Sequence, residues 1–245
     1  MFIPKQTPKK FIHKSNVLPC KFSLLVWNIH KENQTKNFEK SFSSLMQTNP
    51  SDILMFQEVK YPKQNSFAFE KYSYVLGANI ETKQNIFGVL TAAKCSFHNI
   101  TTSLSTKKEL GFSSHKSFLI TQHQLCNGQT LYLANIHAVN FVSDKAFKYE
   151  LQKIKNLLQT FKGPIIIGGD FNNWNKKRLQ FLENFQKELE LYKLTVEESH
   201  HVKQIFSQTI DHIYYRGIKP LKAVAIDTKK ISDHNPIHAL FELVE

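Results

Sequence analysis

The chain of 245 residues is poor in cysteine, and the cysteines that it has follow no recognisable pattern. Cys20, Cys95 and Cys126 are odd in number and lack metal-ligand spacing, which argues against a disulfide framework or a zinc module. We therefore expect free buried thiols and a reducing compartment. Long apolar runs are also lacking, so the sequence predicts no membrane span, no signal peptide and a cytoplasmic protein.

Arginine is scarce as well, although the chain is strongly basic. Only Arg178 and Arg216 are arginines among 32 basic residues, which exceed 20 acidic residues and give a formal net charge of +12. Such a charge predicts a polyanionic partner, with nucleic acid as the substrate. Lysines contact phosphates as point charges and lack the fork that reads base edges, so little sequence preference follows. A biased coding composition would also explain many lysines.

The length fits one large domain with its own core. Residues 1–21 contain Pro4, Pro8 and Pro19 among several lysines, which predicts a flexible basic N-terminal arm. Residues 22–245 are then a single domain. We expect a monomer, because nothing in the pattern implies a protein partner.

The most informative stretch is an apolar run that ends abruptly in polar residues. Residues 165–167 are three isoleucines, and Gly168, Gly169, Asp170 and Asn172 follow. A short β-branched run bounded by proline and glycine is typical of a strand that is buried on both faces. Asp170 and Asn172 would emerge together at its end. An Asx turn that merely closes the strand is the alternative.

The same form, a strand followed by a polar residue, recurs along the chain. Its polar members are Asn28, Glu58, His137, Asp211, Asp233 and His234. Apolar spacings of three and four residues predict amphipathic helices over residues 37–47, from a cap at Ser143 or Asp144 to Phe161, and over residues 179–189. Strands outnumber helices, which indicates two packed sheets with helices outside.

Together, and in this order, these residues resemble the endonuclease/exonuclease/phosphatase superfamily over residues 22–243. Segments 26–29, 135–141, 211–217 and 232–236 are most similar to its poorly characterised bacterial YafD-type branch. The resemblance implies an α/β fold, a four-layer α-β-β-α sandwich in which two mixed β-sheets pack face to face. It also implies that residues 22–245 are the hydrolase domain.

The resemblance further implies a role for each polar residue. Glu58, Asn28 and Asp233 would hold Mg²⁺ or Mn²⁺, which prefer hard oxygen ligands. Asp170 would orient the attacking water, Asn172 would donate to the phosphate, and Asp211 would fix the tautomer of His234. His137 would bind the phosphate or protonate the leaving oxygen. Either Asp170 or His234 is the general base, and the sequence leaves this open.

Basic and aromatic residues beside these motifs are candidates for substrate binding. We expect phosphate contacts from Lys176, Lys177, Arg178, Lys229 and Lys230, and stacking on a base or sugar by Trp174. A solvated charge run and packing against the turn are the respective alternatives.

The leading hypothesis is a metal-dependent nuclease that cleaves DNA or RNA with little sequence specificity. Only 41 residues (211 − 170) separate Asp170 from Asp211, which disfavours specific abasic-site repair. The alternative is a phosphatase or phosphodiesterase for a phospholipid or small phosphate ester, with a lipid-facing loop around Phe67 and Phe69. A catalytically silent nucleic-acid binder is a third hypothesis, and the clustered acids and histidines argue against it.

Overall fold

The computed structural model of the chain describes residues 4, 7–64, 67–105 and 116–244, and for residues 98–100 it describes the backbone alone. Two large mixed sheets form the centre of this described part. The first sheet carries Asn28 and Glu58. Its strands, in spatial order, are β1 (Lys9–Lys10), β5 (Ser73–Glu81), β6 (Asn85–Ala93), β4 (Ile53–Pro62), β3 (Lys21–Asn28), β16 (Ile237–Glu242) and β15 (Lys219–Ala225).

The second sheet carries the strand that the three isoleucines begin. Its strands, in spatial order, are β11 (Tyr192–Lys193), β14 (Asp211–Arg216), β10 (Ile165–Asp170), β9 (Thr130–His137), β8 (Ser117–Leu125) and β2 (Val17–Leu18), and β7 (His98–Leu104) pairs with another part of β8. A separate hairpin consists of β12 (Gln204–Ile205) and β13 (Gln208–Thr209). A short 3₁₀ turn, Ser199–His201, precedes this hairpin.

Three α-helices occur in the described residues, and a polar side chain caps the start of each. They are α1 (Lys36–Thr48), α2 (Asp144–Leu158) and α3 (Lys176–Glu188). The side chains of Thr35, Ser143 and Asn175 accept hydrogen bonds from backbone N–H groups of the respective first turns. The cap at Ser143 was predicted, whereas α2 ends before Phe161.

Hydrophobic packing divides the molecule into four layers. Along β3, Leu24 and Val26 belong to the core between the two sheets, whereas Leu25 and Trp27 face α1 on the outer side. The isoleucine run behaves likewise, because Ile166 lies between the sheets while Ile165 and Ile167 pack with α2 and α3. The predicted α-β-β-α sandwich with two mixed sheets is therefore confirmed.

The N-terminal segment differs from the flexible arm that the sequence suggests. Met1–Ile3 and Lys5–Gln6 lie outside the described residues, but Lys9 and Lys10 pair with β5 at the edge of the first sheet. Val17 and Leu18 pair with β8 in the second sheet, and Leu18 is buried. The edge strands of the two sheets offer backbone N–H and C=O groups. Hydrogen bonds to these groups hold the N-terminal segment in place despite its prolines.

The cysteine prediction is wrong for two of the three thiols. Cys20 and Cys126 form a disulfide across a sequence separation of 106 residues, with Cα atoms 5.4 Å apart, while Cys95 is free and buried. The bond joins the start of β3 to the turn after β8 and therefore links the two sheets. Because disulfides persist in oxidising environments, the cysteines no longer argue for a reducing compartment.

Among the helices of the described residues, none has both the length and the apolar content that crossing a membrane requires.

Candidate active site

Three adjacent strands of the second sheet bring an imidazole and two carboxylates side by side. Asp170, at the end of β10, is the register partner of His137 on parallel β9 and of Asp211 on antiparallel β14. Gly169 permits this spacing, because its φ is +142° and a Cβ there would overlap the carbonyl of Ile136. Glycine is thus required one residue before the central carboxylate.

The first sheet supplies the opposite side of the site from neighbouring strands. Asn28 ends β3 and pairs with Gln57 on parallel β4, so Glu58 follows directly beside it. A buried amide pair fastens this edge to the second sheet, because Nε2 of Gln57 donates to Oδ1 of Asn135 at 2.7 Å. Asn135 lies two residues before His137. The two sheets are therefore bonded together next to the residues that they present.

A loop before β16 contributes the second histidine and is attached to β3. The hydroxyl of Ser232 donates to the carbonyl of Asn28 at 2.7 Å, and the indole of Trp27 donates to the carbonyl of His234 at 2.9 Å. Nδ1 of His234 lies 2.7 Å from Oδ2 of Asp211. These contacts hold the imidazole between the two sheets.

At the centre of the site, His137 lies between two carboxylates. Its Nε2 is 3.7 Å from Oε1 of Glu58 and 3.7 Å from Oδ2 of Asp170. The Nδ2 of Asn28 donates to Oδ2 of Asp170 at 3.2 Å. The predicted residues Asn28, Glu58, His137, Asp170, Asp211 and His234 thus converge, and six separate segments of the chain form one site.

Asn172 is also in the site, but part of its amide is already engaged. Its backbone N–H donates to Oδ1 of Asp170, and its Nδ2 donates to the carbonyl of Ala138 at 3.0 Å. One amide hydrogen remains for another acceptor. Asp233 lies at the rim, half exposed, where its Oδ2 accepts from Lys203 at 3.2 Å.

The sequence patterns missed two lysines, Lys31 and Lys116, that neutralise the carboxylate of Glu58. Nζ of Lys31 lies 2.8 Å from Oε2 of Glu58, and Nζ of Lys116 lies 2.9 Å from Nε2 of His137 and 3.8 Å from Oε1 of Glu58. Lys31 is three residues after Asn28, which is a usable signal. Lys116 precedes β8 without any motif, so only the fold brings it here.

These cations set the protonation of Glu58 and His137. Burial would raise the pKa of Glu58, but the charges of Lys116 and Lys31, and of His137 when it is protonated, outweigh burial and lower the pKa. Burial, followed by the charge of Lys116, holds the pKa of His137 well below its ordinary value. His137 is therefore neutral near pH 7, and the lysines supply the positive charge beside Glu58.

The pKa values of Asp170 and His234, in contrast, are both raised. Burial, together with the neighbouring Asp211, raises the pKa of Asp170 to about 7. Burial would lower the pKa of His234, but Asp211 outweighs it and raises that pKa to about 9. The site thus holds a carboxylate that titrates near neutrality next to an imidazolium, which is a pair suited to proton transfer.

Strained backbone occurs at this site. Four of the ten non-glycine residues with positive φ in the described chain lie here, namely His30 (φ 47°), Lys31 (φ 67°), Glu58 (φ 53°) and Asn172 (φ 47°). Such conformations are costly for these residue types and cluster where a side chain must be aimed. At Glu58 the strain coincides with the irregularity between Phe56 and Val59, which turns the carboxylate into the site.

One predicted substrate contact is wrong. Arg178 is fully buried, and its guanidinium donates to the carbonyls of Val139, Asn140, Val142 and Asn172. It packs against the rings of Phe147 and Trp174 as well. Arg178 therefore positions the segments after β9 and β10 instead of contacting phosphate. The other basic candidates, Lys176, Lys177, Lys229 and Lys230, are exposed.

The donors fit a divalent ion at Glu58. This carboxylate is ionised and hard, and in the structure its two oxygens face ammonium groups, which shows that the position favours cations. Lys31 is 48% exposed and can move aside.

A second cluster, Asp170, Asp211 and His234, brings possible ligand atoms within 4.8 Å of one another. Oδ1 of Asp211 is buried there without a hydrogen-bond partner in the described chain, so a water or ion would satisfy it.

Comparison with known proteins agrees with this fold. The family described as Endonuclease/Exonuclease/phosphatase matches residues 25–234. Among solved structures, the endonuclease/exonuclease/phosphatase from Bacteroides vulgatus superposes with a TM-score of 0.71 at 15% identity, covering 91% of this chain and 99% of that one. TDP2 of D. rerio, complexed with a single-strand DNA product, gives 0.67 at 16% identity, covering 91% and 99% respectively.

The chain therefore belongs to the Endonuclease/Exonuclease/phosphatase family, and membership implies hydrolysis of phosphate esters. Within this family it is similar to a UPF0294 protein of Erwinia tasmaniensis. The two are 31% identical, and the match covers 96% of this chain and 90% of that protein.

Proposed function

We propose that the protein is a divalent-metal-dependent phosphodiester hydrolase, and specifically a nuclease that acts on DNA or RNA with little sequence specificity. The observation that carries the proposal is the position of Nε2 of His137, 3.7 Å from both Glu58 and Asp170. A cation-binding carboxylate and a carboxylate suited to proton transfer thus face the same small space. That arrangement is what hydrolysis of a phosphate ester requires.

A phosphodiester resists attack because its anionic oxygens repel the nucleophile and its leaving oxygen is a poor one, so catalysis is mostly positioning and charge stabilisation. Asp170, held by Asn28 and by the N–H of Asn172, accepts the proton of the attacking water. The imidazolium of His234, held by Asp211, stabilises the charge that develops on the phosphoryl oxygens. Lys116, which lies next to neutral His137, stabilises the negative charge that develops on the leaving oxygen.

Glu58 would hold the divalent ion, with Asn28 and Asp233 as its flanking oxygen donors. When bound, such an ion polarises phosphate oxygens and stabilises the departing oxygen. The carbonyl oxygen of the Asn28 side chain accepts from the N–H of His30 at 3.1 Å, which fixes its orientation.

Nucleic acid is the favoured substrate because of charge. The net charge is +12. Lys176 and Lys177 follow Asn172 in the chain, Lys229 and Lys230 precede Asp233, and all four lysines are exposed. These lysines are proposed to contact the phosphate backbone. A structural neighbour, TDP2, was solved with a single-strand DNA product, which supports the same substrate class.

The phospholipid alternative loses the loop on which it was based. Phe67 and Phe69 are 5% and 0% exposed, and their rings pack edge to face with centroids 5.2 Å apart. They belong to the core under α1 and cannot face lipid. A small phosphate ester remains the second candidate substrate.

The test is a substrate panel. Purified protein is incubated with supercoiled plasmid, a single-stranded oligonucleotide and a duplex with one abasic site, in Mg²⁺ and in parallel with EDTA. We expect cleavage of plasmid and oligonucleotide that EDTA abolishes, with no preference for the abasic site. Failure to cleave any nucleic acid in Mg²⁺ or Mn²⁺ would refute the nuclease proposal.

A further inference from the structure

The hairpin β12–β13 presents an aromatic side chain to solvent beside the candidate active site. Phe206 and Ser207 form its two-residue turn, between the pairs Ile205↔Gln208 and Gln204↔Thr209. Phe206 is 81% exposed, the largest value among the exposed large hydrophobic residues of the described chain. A phenyl ring exposed to this degree contributes little to the core and is available to contact a partner.

The backbone of this turn is strained at the residue that carries the exposed ring. Phe206 has φ 48° and Ser207 has φ 63°, both in the left-handed region. Two-residue hairpin turns of this type normally use asparagine and glycine, because bulky side chains are disfavoured there. The hairpin is too short to be stable by itself, and yet a phenylalanine occupies its tight turn. Strain of this kind is characteristic of functional positions.

Neighbouring contacts place the hairpin at the rim of the site. The Phe206 ring lies against Trp174, with centroids 6.3 Å apart and planes inclined by 64°. Trp174 is two residues from Asn172, its Nε1 donates to Asn140, and Arg178 covers one face of its indole at 4.8 Å. The base of the same segment is bonded to the His234 loop, because Asn235 donates to the carbonyl of His201 at 3.0 Å.

We propose that Phe206, supported by Trp174, is a stacking platform for an unpaired nucleobase, so that the preferred substrate of this site is single-stranded nucleic acid. The inference rests on the proposed nuclease function and specifies its substrate class. Stacking on an exposed ring requires a base whose face is free, which a paired duplex interior does not offer. Exposed Lys176 and Lys177 begin α3 just after Trp174, where they would bind the phosphates of the stacked strand.

Charge decides between a base and a lipid acyl chain as the occupant. One aromatic side chain at the tip of a hairpin inserts little apolar area, whereas nucleic-acid binding combines isolated rings with lysines in this manner. Phe206 is 81% exposed although it contacts Trp174, so most of its ring remains available as the contact surface.

Fluorescence of Trp174 provides a test that needs no catalysis. The chain has two tryptophans, and Trp27 is buried at 1% exposure, so quenching by added oligonucleotide reports on Trp174. The probe is single-stranded (dT)10, titrated in EDTA. Two comparison probes are a duplex of equal length and a ten-unit chain of base-free deoxyribose phosphates. We expect saturable quenching by (dT)10 and weaker binding of both comparison probes.

Substitutions of Phe206 separate stacking from general apolar contact. Phe206→Leu should weaken (dT)10 binding about 10-fold, toward the affinity of the base-free chain, while Phe206→Tyr should retain it. Tyr192→Leu is the control, because Tyr192 is 65% exposed and pairs with Tyr215 at the far end of β14.

Three outcomes would overturn the inference. They are equal (dT)10 affinity in wild type and Phe206→Leu, equal binding of (dT)10 and the base-free chain, or quenching by anionic phospholipid vesicles but not by (dT)10. Binding that depends on Phe206 without any Mg²⁺-dependent cleavage would instead refute the proposed nuclease function and leave the platform intact.

Discussion

Nδ1 of His234 lies 2.7 Å from Oδ2 of Asp211, in a site where both side chains are buried. Burial favours the neutral imidazole, but the carboxylate of Asp211 outweighs it and raises the pKa of His234 to about 9. The histidine therefore keeps its proton through the neutral range. Asp211 makes the largest contribution to keeping this proton, ahead of Asp170 and Asp233, so a substitution of Asp211 tests the mechanism most sharply.

Asp211→Asn should lower the rate of phosphodiester cleavage by about 10- to 100-fold. The amide keeps the size of the carboxylate but removes its charge, so the pKa of His234 falls. The alkaline limb of the pH–rate profile should then move to lower pH. A variant with reduced rate but an unchanged pH profile would show that Asp211 acts only in packing.

Arg178→Met should lower the free energy of unfolding by about 3 kcal/mol or more, because it leaves four carbonyl groups buried without their donor. Thermal or urea denaturation measures this. Arg178→Lys should rescue little, since one ammonium group cannot reach all four acceptors. The neighbouring exposed Lys177 is the matched control, and Lys177→Met should change stability by less than about 0.5 kcal/mol.

Stability should fall as the pH falls below about 6.5. Burial lowers the pKa of His123 to about 3, and burial likewise lowers that of His212 to about 3. The unfolded chain binds protons at these histidines near pH 6.5, whereas the folded chain does not. Each therefore contributes stability that is present above pH 6.5 and is lost toward pH 3, by about 1.4 kcal/mol per pH unit.

The measurement is unfolding free energy between pH 7 and pH 5 for wild type and His123→Gln. In the variant, the slope of unfolding free energy against pH should be smaller by the contribution of one histidine. Exposed His200 is the control, and His200→Gln should leave the slope unchanged. An equal slope in wild type and His123→Gln would contradict the buried neutral state of His123.

Reduction of the Cys20–Cys126 disulfide should lower the free energy of unfolding by about 4 kcal/mol, because the bond closes a loop of 106 residues in the unfolded chain. The double variant Cys20→Ser, Cys126→Ser should show the same loss and no further response to reductant. Cleavage activity should persist in both cases, since Cys20 precedes β3 and the site lies beyond its other end. If reductant left the stability of the wild type unchanged, this would show that the bond does not form.

Much of the site was predictable because strand ends are local patterns. A β-branched run followed by two glycines and an acid specifies both a buried strand and the side chain that it delivers, and Asp170 lies where this predicts. Asn28, Glu58 and His137 follow the same rule. The family resemblance supplied the order in which these ends are brought together.

Side chains whose role depends on distant partners were not predictable. Lys116 reaches Glu58 and His137 only because β8 lies beside β9, and nothing in its neighbourhood in sequence marks it. Arg178 looks like part of a basic run, but its place in the first turn of α3 directs it inward to four carbonyl groups. The disulfide likewise depends on a pairing over 106 residues, for which three cysteines give no rule.

The most direct test of the central claim is the rate of Mg²⁺-dependent cleavage of a single-stranded oligonucleotide by Asp170→Asn, measured beside wild type. Asp227→Asn, at an exposed loop position, is the matched control. We predict a loss of about 10²-fold or more for Asp170→Asn, wild-type rates for Asp227→Asn, and EDTA-sensitive activity throughout. Undiminished cleavage by correctly folded Asp170→Asn would contradict the claim that this convergence of strand ends is the active site.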